Sequence, residues 1–225
     1  MQQLAEDLWV VDRPLRFGGL PLGTRMTVVR LPGGRLFLHS PVALDGALRE
    51  ALLAVGTPQW AVAPNRFHHL FIGQYREAFP AIELFAAPGL PQKRPDLRFD
   101  AVLGDQAPSA WADFLDQEWF KGFSMMNEVA FCHRASRTLL TCDLAFNLGP
   151  EAPLVTRVAF RLLGGYGRLG PTMVERVMIR DGIAARGSIE RILAWDFDRI
   201  VVAHGAVLET GGREALRAGY RWLLG

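Results

Sequence analysis

The chain has 225 residues, 50% of them hydrophobic and 21% charged, which suits one globular α/β-sized domain with a sizeable core. A formal net charge of +2 is near balance, so bulk electrostatics give no reason to expect nucleic acid or an anionic membrane as partner. No apolar run approaches the roughly 18–20 residues of a spanning helix, and the acidic start MQQLAEDLWVVDRP does not read as a secretory signal. With Cys132 and Cys142 as the only cysteines, the expectation is two free thiols and a cytoplasmic protein. Lys93 and Lys121 are the only lysines among 25 basic residues.

Short β-branched or aromatic runs open the chain: LWVVD (8–12), MTVVRL (26–31) and RLFLHS (35–40). Gly18, Gly19 and Gly23 punctuate the first gap, and Pro32-Gly33-Gly34 supplies a hairpin turn for the second. Leu44, Ala47, Leu48, Ala51, Leu52 and Val55 share one face of a helix that Gly56 closes. QWAVAP (59–64) predicts a strand, QYREAFP (74–80) a short helix, AIELFAAPG (81–89) and LRFDAVLG (97–104) two more strands. After a helical turn at 109–115 come strands at 118–122, 127–133 and 137–146, the last two a hairpin around Arg134-Ala135-Ser136. In that hairpin His133 faces Thr138, which keeps Cys132 and Cys142 too far apart for a disulfide.

Residues 150–195 read as a helical insertion. Leu154, Val155, Val158, Leu162 and Leu163 mark one apolar face, with Arg157 and Arg161 on the other. Two occupants of that face are open, the helix's own domain or a second copy in a homodimer. Further helices are expected at 171–180 and at 188–195, the latter with Ser188 as N-cap. DRIVVAHG (198–205) is a buried strand and GREALRAGYRWLL (212–224) a closing helix. Strands and helices alternating in this way argue for a layered α/β protein.

In such layers, functional residues collect past the carboxyl ends of strands. Three segments put metal-type residues there: His68 and His69 after QWAVAP, Asp143 after RTLLTC, and His204 after DRIVVA. Each alone reads as capping or packing more readily than as a ligand. Together, HHLFIGQYREAFP, SRTLLTCDLAFN and DRIVVAHG resemble the metallo-β-lactamase superfamily over nearly the whole chain, in an uncharacterised branch of unknown function. The resemblance implies a four-layer αββα sandwich with metal at one edge.

The departures from that family's pattern carry information. Its second motif is His-x-His-x-Asp-His. Laid on this chain, it places Pro64, Arg66, His68 and His69 at the ligand positions, and Phe123 at the third histidine. The first metal of a binuclear member therefore has no ligand group here. His69, Asp143 and His204 remain for the second, with His68 in place of a carboxylate. Such a set implies one divalent ion, Zn or Fe before Mn. Adjacent residues point in different directions, so His68 and His69 share an ion only if the loop twists between them. His39 reads as a packing group beside the site.

Two functional classes follow from the resemblance. One is a mononuclear metal-dependent hydrolase of a small-molecule substrate, with Asp143 as ligand and orienter and Arg66 binding an anionic group; a mononuclear iron oxidoreductase fits the same residues. The other is an inactive scaffold that binds a ligand or partner in the old cleft.

Overall fold

The computed structural model describes all 225 residues. Strands β1 (Gln2–Ala5) and β2 (Leu8–Arg13) lead into a small hairpin, β3 (Arg16–Phe17) and β4 (Leu20–Pro21), then β5 (Thr24–Leu31) and β6 (Arg35–His39). Next come α1 (Gly46–Val55), β7 (Thr57–Ala63), α2 (Ile72–Ala78), β8 (Glu83–Ala86), α3 (Leu90–Lys93) and β9 (Ala101–Val102). The second half holds β10 (Leu115–Trp119), β11 (Val129–His133), β12 (Thr138–Leu140), α4 (Leu154–Leu162), α5 (Met173–Met178) and α6 (Gly182–Leu193). It closes with β13 (Arg199–Val201), α7 (Gly212–Gly219) and α8 (Arg221–Leu224).

These elements build two sheets. One has seven strands in the order β1-β2-β5-β6-β7-β8-β9, antiparallel as far as β6 and parallel beyond it. The other runs β10-β11-β12-β13, with only the last pair parallel. Between them lies a core rich in aromatic side chains, where Phe37, Trp60, Phe85 and Phe131 from both sheets gather around Trp111 and one another. Leu48 and Leu52 of α1 and Ile72 and Tyr75 of α2 cover the outer face of the first sheet. Ala185, Ile189 and Ile192 of α6 and Leu216 of α7 cover the second. The order is helix, sheet, sheet, helix, and alternation along each strand serves both cores.

Local chemistry explains the element ends. Asp45 caps α1 by accepting the Leu48 N–H at 2.7 Å. Gly56 ends it where the chain passes the hairpin turn so closely that a Cβ would lie 2.3 Å from the Gly34 carbonyl oxygen. The hairpin at 134–137 has the expected register, with His133 opposite Thr138. Both cysteines are buried free thiols.

Several expectations are corrected. The strand expected at 97–104 shrinks to two residues, because the Asp100 carboxylate takes the Leu84 N–H and pairs with Arg76. The strand expected at 137–146 stops at Leu140, because the next amides turn to a buried carboxylate described below. Ser188 is not an N-cap. Asp181 caps α6 about two turns earlier, and Ser188 lies buried inside it, its Oγ accepting from the Lys121 N–H. The closing helix breaks at Tyr220, whose hydroxyl donates to the Leu144 carbonyl. β1 precedes the first expected strand, and Gly18 and Gly19 of the first gap form the turn of the β3–β4 hairpin.

Helix α4 turns its apolar face away from the domain. Thr156 and Phe160 hold it to the domain, Thr156 through a hydroxyl bond to the Pro21 carbonyl at 2.9 Å. Leu154, Val155, Val158 and Leu162 face outward instead, Leu162 with 78% of its surface exposed. No helix in the chain is long and apolar enough to cross a membrane.

The two environments give a direct stability test. Trp111→Ala empties the inter-sheet core and is expected to cost about 3–5 kcal/mol, roughly 10 °C in Tm for a domain of this size. Leu162→Ser removes an outward side chain and is expected to stay within about 0.5 kcal/mol of wild type. Thermal melts check both, and a large loss in the second variant would contradict the orientation of α4.

Candidate metal centre

The site is built at the carboxyl ends of β7 and β13 and just past β12. After β7, Pro64 leads to Asn65, which is wholly buried. Its Oδ1 accepts the N–H groups of Phe67 and His68, both at 2.8 Å, and this side-chain turn fixes the direction in which His68 leaves the sheet. Asn65 Nδ2 donates to Glu128 at 2.9 Å and to Asp143 Oδ2 at 2.7 Å. Glu128 is also fully buried, and its carboxylate gathers the N–H groups of Cys142, Asp143 and Leu144. One amide and one carboxylate therefore tie the His68 turn to the Asp143 turn.

His204 arrives from β13, whose Ile200, Val201 and Val202 are buried. The next residue must be glycine: Gly205 has φ +101°, and a Cβ there would lie 2.1 Å from the Asn147 carbonyl oxygen. The His204 ring stacks on Phe146 with 13° between planes, and its Nδ1–H donates to the Gly23 carbonyl at 2.8 Å. That bond leaves the Nε2 lone pair of a neutral ring facing the site.

Three donors meet there. His68 Nε2 and His204 Nε2 are 3.2 Å apart, and each lies 3.5 Å from an Asp143 oxygen. Four-coordinate zinc, with bonds of about 2.0–2.2 Å, spaces its donors about 3.3–3.5 Å apart. Here His68 faces Asp143 Oδ2 and His204 faces Oδ1, and one donor atom from each residue lies within 4.8 Å of the others, close enough to gather around a first-row divalent ion. The donor chemistry fits as well: two imidazoles and a carboxylate, all nearly buried, with one coordination face free of protein ligands. Outer partners orient each ligand, since His68 Nδ1 meets Ser40 Oγ at 2.8 Å. Ser40 itself has φ 57°, an uncommon left-handed value for serine that aims its side chain at the ring.

Burial raises the Asp143 carboxyl, but the facing His68 and His204 rings outweigh it and hold the group well below the usual carboxylate range. Glu128 moves the other way. Burial, then the Asp143 charge, pushes it up to about 7 against its N–H donors.

The remaining expected residues fall elsewhere. His69 does not join His68: its Nδ1 lies 2.9 Å from Arg94 Nη1, turned away by the very twist that points its neighbour inward. Burial, helped by Lys93 and Arg94, holds its imidazole down to about 4. Arg66 lies outside the triad and donates to the Ser124 carbonyl. Phe123 is packed in the outer core with Phe120. His39 is buried edge-on to Phe131, and its Nε2 has no partner. The sequence reading missed Asn65, Glu128 and Ser40. A cleft of about 770 Å³ lies behind the His204 backbone among Arg13, Arg16, Arg25 and Glu151, and none of the three ligand residues lines it.

Fold and site together define the class. The chain has the metallo-β-lactamase fold: it is similar to the DIM-1 metallo-β-lactamase exposed to ceftazidime, at 12% identity and TM-score 0.69 over 98% of this chain and 95% of that one. A metallo-β-lactamase from Pontibacter korlensis matches at 10% identity and TM-score 0.66, covering 99% and 97%. FIM-1 from Pseudomonas aeruginosa, in its mono-zinc form, matches at 12% and 0.62, covering 99% and 92%. Within that fold, the chain belongs to the family described as a domain of unknown function, DUF4336, whose model matches residues 5–163. No curated protein matches it.

Two outcomes follow. Asn65→Ala is expected to weaken divalent-metal affinity about 10–100-fold, the usual effect of losing an outer partner, as read by competition with a chromogenic chelator. Unchanged affinity would show that Asn65 does not position the ligands. The second concerns His39, which burial, with the His68 charge adding, holds down to about 3. The unfolded chain, with an ordinary imidazole near 6.5, takes up its proton first as pH falls. Stability is therefore intact above that value and drains away towards the folded one, by about 1.4 kcal/mol at pH 5.5. The Tm of His39→Leu relative to wild type should rise by roughly 3–6 °C between pH 8 and 5.5. A constant gap would mean that His39 is not held neutral.

Proposed function

We propose that the protein is a mononuclear metal-dependent hydrolase, with one divalent ion held by His68, Asp143 and His204. The observation that carries this reading is the convergence of His68 Nε2 and His204 Nε2, 3.2 Å apart, on the two oxygens of Asp143, His68 lying 3.5 Å from Oδ2 and His204 3.5 Å from Oδ1. A donor set of two imidazoles and one carboxylate suits zinc or iron better than magnesium or calcium, which take oxygen ligands. The mono-zinc form of the structurally similar FIM-1 supports the same stoichiometry.

A bound ion would supply Lewis acidity towards a carbonyl or phosphoryl oxygen and acidify water at neutral pH. The chain's own groups do the rest. Asp143, held by Asn65 and facing both rings, is ligand and orienter. Its carboxylate stays ionised, so it competes with no proton for its role. Ser40 and the Gly23 carbonyl hold the imidazoles so that their Nε2 atoms converge. Phe17, at the tip of the β3–β4 hairpin, meets Phe67 edge-on with ring centroids 6.2 Å apart, which brings an apolar cover over the turn carrying His68. Arg66, two residues before His68, is the group for an anionic part of the substrate.

The same 3.2 Å contact supports a second reading, a scaffold without metal. Ser40 O–H donating to His68 Nδ1, His68 Nε2–H to His204 Nε2, and His204 Nδ1–H to Gly23 would satisfy both rings internally.

Protein purified without chelator or polyhistidine tag separates the two. The hydrolase reading expects about one equivalent of metal, a Tm lowered by chelator, and both properties lost in His204→Ala with the fold retained. Absence of metal, together with a melt that chelator does not move, would leave the scaffold reading standing.

A further inference from the structure

Beside the triad is a group of cations that the metal site does not use. Arg66, Lys93 and Arg94 come together around Phe67 and His69. Lys93 Nζ lies 4.8 Å from the centre of the Phe67 ring and donates to the Arg66 carbonyl at 2.5 Å. Arg66 passes over Gly89, where a Cβ would approach its Cδ to 3.5 Å, and gives one N–H to Ser124. Its Nε is buried and has no hydrogen-bond partner. Arg94 meets His69 and is the only one of the three with an acid, Asp96.

The charge balance is informative. Three cations against one carboxylate leave +2 when His69 is neutral, and neither Arg66 nor Lys93 forms an ion pair. This arrangement costs stability in isolation, for like charges held together repel. Desolvation, then the charges of Arg66 and Arg94, lowers the Lys93 ammonium from its ordinary range. The contacts that hold the two free cations are to carbonyls, which water would satisfy equally well. Two unpaired cations, one a planar fork and one a mobile point charge, complement a tetrahedral dianion better than a single carboxylate.

From this geometry we infer that Arg66, on the turn that carries His68, and Lys93, at the end of α3, form a subsite for a phosphate group. It rests on the hydrolase reading for its purpose, which is to hold a phosphate-bearing substrate whose reacting bond lies at His68, Asp143 and His204. Its existence does not depend on metal. Arg94 is left to orient His69 and to support the cluster, with Asp96 absorbing its charge.

Calorimetric titration of inorganic phosphate tests the subsite, using protein stripped of metal and exchanged out of chelator, at constant ionic strength. Wild type is expected to bind phosphate about tenfold more tightly than acetate. Lys93→Ala and Arg66→Ala should each weaken phosphate at least about tenfold, while Lys93→Arg retains most of it. His204→Ala should bind phosphate like wild type, although it loses metal. Lys93 is exposed, so its variant is informative even if Arg66→Ala folds poorly. No phosphate binding by wild type, equal affinity for acetate, or wild-type affinity in Lys93→Ala would each overturn the inference. To separate a substrate group from a free phosphate effector, metal-loaded protein is given an aryl phosphate monoester and the matching aryl acetate. Turnover of the monoester that falls in Lys93→Ala while acetate turnover holds supports the substrate role. Phosphate binding without such a difference assigns the subsite to free phosphate and overturns the substrate role. Metal-free wild type that binds phosphate but never takes up metal would defeat the hydrolase reading and leave the subsite intact.

Discussion

A single buried carboxylate organises this molecule's functional edge. Glu128 is placed at the head of β11 without access to solvent, where an acid is costly unless its oxygens are filled. They are filled by three successive backbone amides and by Asn65, and that demand is what ends β12 and folds residues 141–144 into a turn. Asn65 uses both ends of its amide in the same network. The result is a polar network in which every member is engaged, the condition under which buried polar groups rigidify a structure instead of weakening it. His68 and Asp143 inherit their positions from it. The two ligand turns belong to different sheets, so the clamp also joins the halves of the sandwich at this edge.

Against that framework, the exchange of ligand types across the site is chemically coherent. Pro64 and Phe123 bring no donor, and Phe123 is absorbed into the core beside Phe120. Arg66 brings a cation, which a second metal in that place would repel. What remains is a compact three-donor centre next to a surplus of positive charge. His68, an imidazole in place of a carboxylate, removes one negative charge from the donor set.

Much of the fold was legible because it rests on local signals. The β-branched and aromatic runs LWVVD and MTVVRL and the helical face of Leu48 and Leu52 survive in the structure with small shifts of boundary, while DRIVVAHG keeps only Arg199–Val201 as strand. The signals that failed were those that another residue overrides. Ser188 has the chemistry of a cap, but α6 had already begun at Asp181. The apolar residues of α4 follow helical spacing, and spacing alone does not say which face meets the domain. At the site, Asp143 and His204 could be read as strand-end residues. Which of two adjacent histidines turns inward could not, because the answer lies in the amide of Asn65. Glu128 left only a faint trace, a lone acid at the start of an otherwise buried strand.

The bond from His204 to the Gly23 carbonyl spans 181 residues of chain. Contacts of such sequence separation carry the largest loop-closure cost and form only after much of the intervening structure is in place. Gly23 precedes β5 of the first sheet and His204 follows β13 of the second, so the bond can close only once both sheets have paired. The centre is therefore assembled at the end of folding, and metal cannot template the early steps. Ion capture would act as a latch on a finished sandwich.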